Sequence, residues 1–136
     1  MPVLGGDITE ISWQHPTLGA GQFFPKANEG NTMDLGGFRN NDDESQIDGS
    51  GELILQKNRK RGFFEVVCAD DMRTREDSQK AVDLSESEEV AEWTITHISG
   101  AVFKGTGAIV GDIQTDTNAA TFSMKIAANK FKKIVG

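Results

Sequence analysis

Residues able to do acid–base or nucleophilic chemistry are few and scattered in this chain. His15 and His97 are the two histidines, and Cys68 is the single cysteine. A nucleophile relay needs Ser, Thr or Cys beside a base, with a third group orienting that base. No stretch of the sequence groups such residues. His15 precedes Pro16 in a turn, and His97 shares the parity of Trp93 and Ile95, which places it on a packed or interface face. Cys68 lies in an apolar strand pattern, where thiols are inert. Two histidines and one distant cysteine give no zinc spacing. Asn40, Asp42, Glu44 and Asp48 offer oxygens that could hold Ca²⁺, but Ser45 stands where an EF-hand loop needs Gly, so a solvated acidic loop is the simpler reading. Gly105-Thr106-Gly107 with Gly111 is one residue too long for a dinucleotide fingerprint and sits inside a strand pattern. The glycines there read as a bent strand, allowing a bulge or a close backbone approach. No enzymatic activity, metal or cofactor is expected.

The elements that must position any site are mostly strands. The 136 residues, 15 of them Gly and 37% hydrophobic, suit one domain, 1–136, of short strands joined by turns. Ala91, Trp93 and Ile95 alternate with Glu92, Thr94 and Thr96; Phe122, Met124, Ile126 and Ala128 alternate with Thr121, Ser123, Lys125 and Ala127. Phe64, Val66 and Cys68 share one face of a run whose other face, Phe63 and Val67, is also apolar, which predicts a central strand. Leu53 and Leu55 mark a second strand, and Lys57–Arg61 a basic turn joining the two as a hairpin. Asp70 or Asp71 can cap one helix at about 71–82. The span 36–50 has neither period and reads as a long functional loop. The expected fold is mainly β (α+β): two packed antiparallel sheets forming a barrel-like sandwich with one short helix, since strands left open need closure or a neighbour.

Charge narrows the partners. Lys+Arg number 14 against 21 Asp+Glu, a net −7, which disfavours a general nucleic-acid binder. Basic residues gather at Lys57–Arg61 and Lys125–Lys133, acidic ones between Asp70 and Glu92. Such faces can meet head to tail between copies. The start of the chain shows no signal-peptide pattern, and no apolar run reaches the length of a membrane helix.

Several motifs together resemble the tail tube proteins of contractile-tailed bacteriophages. They are Gly21-Gln22-Phe23-Phe24-Pro25-Lys26; Asp34-Leu35-Gly36-Gly37-Phe38-Arg39 with Asp42-Asp43; Gln56-Lys57-Asn58-Arg59 before a Phe-rich strand; Gly105-Thr106-Gly107 through Asp112; and the Lys130–Ile134 ending. The resemblance implies a structural virion protein in hexameric rings stacked around a channel that conducts DNA. It also implies placement in the virion tail and assembly in the host bacterial cytoplasm. The implied partners are other copies, the sheath, the tape measure protein, and baseplate and terminator proteins. A type VI-like secretion tube shares the architecture, and a small β-barrel ligand-binding domain is the alternative from another class. The loop 36–50 is expected to reach an adjacent ring. Expected contacts between copies are Phe23, Phe24, Phe38, Arg39, Asp42, Asp43, Glu44, Arg59, Lys130, Lys132 and Lys133. Thr121 and Ser123 are expected on an electronegative lumen wall over which DNA slides.

Overall fold

Alternating apolar and polar residues write the longest strands, and their pairing joins them into one sheet. The computed structural model describes residues 2–41 and 45–135. Strands β1 (Ile8–His15), β2 (Gly19–Phe23), β3 (Thr32–Asp34), β8 (Gly62–Ala69), β9 (Ala91–His97), β10 (Val102–Asp116), β11 (Thr121–Ala128) and β12 (Lys132–Val135) form an eight-stranded antiparallel sheet. Its order is β2-β1-β9-β10-β11-β8-β3, with β12 on β10. β12 prolongs β11 along the first residues of β10, where Lys104 faces Lys132.

The alternations read from the sequence hold. Trp93 and Ile95 of β9, Phe64, Val66 and Cys68 of β8, and Phe122, Met124 and Ile126 of β11 are all buried in one core. The sheet curls until its edge meets its far half. Phe23, the last residue of β2, stacks on Trp13 and Trp93 at 6.2 and 6.4 Å and meets the Phe122 ring edge-on at 5.6 Å.

Two packed sheets closing as a barrel are not what forms. Among the described residues there is one large curled sheet and two two-stranded ribbons, and none closes into a barrel. Beyond β2 the ladder stops. Phe24–Lys26 reach β8 through one bridge, Pro25↔Cys68, and two hydrogen bonds, Lys26 N–H to Val67 O and Ala69 N–H to Phe24 O. The physical reason is local. Phe23 turns into the core, and Pro25 has no N–H to continue a ladder.

Glycines do the work assigned to them in β10. A Cβ on Gly107 would stand 1.9 Å from Ala127 O, so the two backbones touch there. Gly111 has φ +75°, inside a register shift between Val110 and Gln114. Only a residue without Cβ takes that conformation cheaply, and the bend it permits wraps the strand around the core.

The one helix among the described residues, α1 (Glu76–Glu86), begins later than the expected 71–82. Asp71 O accepts Thr74 N–H and Arg75 N–H in a tight turn, and Arg75 sits at φ 54°, so the helical path starts only after it. Asp70 caps from outside the helix. Its buried Oδ1 accepts Ser78 N–H at 3.4 Å. Ser78, Ala81 and Leu84 are the buried stripe, and α1 packs on β10.

Candidate functional site

The described residues of the span expected to be a structureless loop enter two short ribbons. β4 (Gly37–Asn40) pairs with β7 (Lys57–Lys60), and β5 (Gln46–Ile47) pairs with β6 (Leu53–Ile54). Lys57–Arg61 is therefore not a turn: Lys57–Lys60 is strand. The reversal lies at the tip, where Asp48 O accepts Gly51 N–H and the Asp48 carboxylate accepts Ser50 N–H, Ser50 Oγ–H and Glu52 N–H. Those bonds, the Ser50 hydroxyl first, hold the Asp48 carboxyl below the usual carboxylate range.

The register of β4–β7 continues that of β3–β8. Asp34 faces Phe63, and three steps further along each strand Gly37 faces Lys60. The ribbon is thus the edge hairpin of the large sheet, running on beyond the body as an arm. Its root is a kink. Gly36 has φ +77°, and a Cβ there would stand 2.5 Å from Gly62 N. Asp34 clamps the kink by accepting Gly36 N–H and the Arg39 guanidinium, and these bonds, Arg39 first, hold its carboxyl low.

The arm exposes apolar side chains. Phe38 is 61%, Ile47 67% and Leu53 62% exposed, and Ile54 and Leu55 are exposed beside them. A two-stranded ribbon is marginal alone in water. An apolar surface of this kind marks an interaction site. Lys57 Nζ lies 5.5 Å from the centre of the Phe38 ring, and Arg59 faces Phe38 across the ladder.

The basic tail joins this root. Phe131 is buried beside Gly105, where a Cβ would meet its ring at 2.6 Å, and Phe131 N–H donates to Leu35 O. Lys130 passes over Gly37, and Lys130, Lys132 and Lys133 are exposed. The structure therefore puts Phe38, Lys57 and Arg59 on one face of the arm root, with Lys130 over Gly37 and Lys132 and Lys133 on the adjoining β12, whereas Arg39 points to the other face and binds Asp34.

Other expected contact residues lie elsewhere. Phe23 is 1% exposed within the chain itself, so its ring serves the core, not a surface. Phe24 is exposed beside it. Asp42, Asp43 and Glu44 lie outside the described residues. Ile47, Leu53, Ile54 and Leu55 were not singled out as contacts. The spacing of Leu53 and Leu55 marks one face of a strand, and the structure leaves that face exposed.

The polar face of the sheet carries Ser12, Gln14, Gln22, Thr94 and Thr106, as cross-strand pairs show. An open groove of about 430 Å³ runs over Ser12, Gln22, Glu92 and Lys104. Ser123 is half-buried and its hydroxyl points to Gln114 O at 3.5 Å; Thr121 is buried. The charges on this face are mixed. Lys104 stands near Glu92, and Lys125 Nζ is 3.5 Å from Glu65 and 4.6 Å from the Phe63 ring centre. The face is therefore not of one sign.

The titratable groups give little catalytic geometry. Burial, then the nearby Asp77 carboxylate, pushes the Cys68 thiol up to about 12, which keeps it protonated. Among the described residues no group of three or more His, Cys, Asp or Glu side chains could hold a metal ion. His97 donates from Nε2 to Gly6 O at 3.0 Å and bonds Ser99 Oγ through Nδ1, fastening the N-terminal segment.

Acidic residues crowd the start of α1. Burial raises the Asp77 carboxyl, and Asp70, Glu76 and Asp71 raise it further. A carboxyl raised by folding favours the folded state at low pH, and that advantage is lost as pH rises through its folded value. Asp77→Asn should accordingly raise the melting temperature by a few degrees near neutral pH, and the gain should vanish in acid, where both side chains are neutral. Thermal melts followed by circular dichroism across pH check this.

Among the described residues no helix is long and apolar enough to cross a membrane. No protein-family model matches the chain, and no curated protein sequence matches it.

Proposed function

We propose that this chain is a structural, non-enzymatic subunit that assembles with copies of itself into stacked rings. Those rings form the inner tail tube of a contractile phage tail, through which DNA passes. Six copies per ring, placement in the virion, and sheath, tape measure, baseplate and terminator proteins as neighbours come with that reading. The observation that carries it is the arm, a ribbon with exposed Phe38, Ile47, Leu53, Ile54 and Leu55 and no covering layer among the described residues.

A second copy is the occupant that charge favours. The basic arm root and tail lie by the start of β10, where Lys104 faces Lys132. The acidic turn and first turn of α1 lie by its end, where Arg75 reaches Thr115. Along a strand those points are up to about 35 Å apart. Opposite charge at opposite ends suits head-to-tail contact, which propagates as rings or filaments. The ladder also ends openly at β2 and β3, leaving edges for neighbours to pair with.

The deciding experiment is negative-stain microscopy with sedimentation velocity over a concentration series. Hollow rings or filaments are expected, and a chain that stays monomeric at its highest soluble concentration overturns the reading. Reversing Lys130, Lys132 and Lys133 to Glu should weaken assembly by roughly tenfold or more at low salt, with the difference shrinking as salt rises. Equal assembly of both proteins at every salt concentration would remove charge from the account.

A further inference from the structure

His15 ends β1 and is buried, and both its ring nitrogens are engaged. Nδ1 faces two backbone donors, Thr17 N–H at 3.1 Å and Leu18 N–H at 3.0 Å. An N–H can only donate, so Nδ1 must carry the lone pair, and the neutral ring's proton is on Nε2. That proton points to Ser87 Oγ at 2.8 Å. Ser87 Oγ also accepts Glu89 N–H at 3.1 Å.

The pair looks like a serine–histidine dyad, but its polarity is reversed. A base that activates serine must accept the hydroxyl proton. Here Nε2 donates, and Nδ1 is held as acceptor by the turn. The ring instead couples two segments distant in sequence, the β1–β2 turn and the connection from α1 to β9.

We propose that His15 is a proton-sensitive latch, holding the β1–β2 turn closed through Nδ1 while neutral and releasing that turn when charged. A second ring proton has one place to go, Nδ1, where it meets two N–H donors about 3 Å away. The turn must then open or the ring must swing out, and either movement takes the acceptor from Thr17 N–H and Leu18 N–H and opens them to solvent. The charged groups adjoining the latch in sequence and register are carboxylates. Glu89 accepts Thr17 Oγ1–H at 2.7 Å, and Glu86 and Glu88 flank Ser87 in the same segment. Across the sheet, β9 presents Glu92 opposite Gln14, and β2 presents uncharged Gly19 opposite His15. The carboxylates attract an imidazolium from a distance, but none of them replaces Nδ1 as acceptor for Thr17 N–H and Leu18 N–H. Charging therefore takes the turn's acceptor away, while Nε2–H to Ser87 and Thr17 Oγ1–H to Glu89 can both persist. Release loosens β2, the outermost strand of the ladder. The latch is a property of one copy and does not depend on self-assembly.

Hydrogen exchange on the full chain at about pH 8 and about pH 5, with the ring's protonation read in the same samples, tests this. Protection factors of Thr17 and Leu18 should fall roughly tenfold or more at the lower pH, while those in β9 and β11 persist. In His15→Gln the side-chain amide oxygen can accept the same N–H groups at both pH values, and the step should disappear. Unchanged protection in the native chain, or an equal step in the variant, overturns the latch. Nitrogen NMR of the native imidazole decides independently of whether the variant folds. The proton should be on Nε2 at the higher pH, and ring charging should coincide with the loss of protection. A proton on Nδ1, or loss of protection without ring charging, also overturns it.

Discussion

Removing residues 38–59 and joining Gly37 to Lys60 through an Asn-Gly turn should leave a folded body that no longer assembles. Gly37 and Lys60 are cross-strand partners, so a two-residue turn closes the hairpin without a change of register. The core cluster draws no residue from the removed span, and body stability should stay within about 1 kcal/mol. Association should weaken on the order of a hundredfold or more, since the lost residues include Phe38, Ile47 and Leu53. Urea denaturation reads the first quantity and sedimentation the second. Undiminished association would mean that copies meet through the sheet edges or the tail instead.

Gly107→Ala should do the opposite and damage the body. The added methyl would fall 1.9 Å from Ala127 O and 2.6 Å from Ala128 Cα, both backbone atoms of the paired strand. Neither can swing away as a side chain would. β10 and β11 must therefore part at the centre of the sheet, and Trp93, whose indole N–H donates to Gly107 O at 3.0 Å, loses its geometry as well. A loss of about 3 kcal/mol or more is expected in urea denaturation followed by tryptophan fluorescence. Two variants calibrate the cause. Gly111→Ala has open space but φ +75°, and should cost about 1 kcal/mol. Gly30→Ala has neither obstacle and should stay within about 0.5 kcal/mol. Similar losses at all three positions would rule out the backbone contact as the cause.

The body was legible in the sequence wherever one face is buried. The alternations at Ala91–Ile95, Phe64–Cys68 and Phe122–Ala128 each state which side chains point inward, and the structure agrees because a one-residue slip would expose them all. The glycines of β10 were legible too, since a dinucleotide turn has no place inside a strand. The closure was not. Whether strands form one curled sheet or two packed ones depends on which pair across long separations, as β1 does with β9, and alternation is the same in both.

The arm was opaque for a different reason. Gly37–Asn40 and Lys57–Lys60 are exposed on both faces, so no inward pattern exists to betray a strand. Their pairing is inherited from Asp34 and Phe63 further down the same hairpin. The start of α1 was hidden in a similar way. A capping carboxylate at Asp70 acts eight positions away on Ser78, across a turn that only the left-handed Arg75 makes possible.

That shared register constrains how the arm can change in length. Both strands descend from one ladder, so a residue added to one side alone must be absorbed as a bulge or shift every pairing beyond it. Two residues added to each strand above Gly37 and Lys60 would lengthen the arm by about 7 Å and keep Phe38 and Arg59 facing each other. Single-residue additions to both strands would rotate the tip half a pleat and turn Ile47 and Leu53 to the opposite side. Below the tip, additions that keep both the pairing and the facing of the side chains therefore come as two residues on each strand.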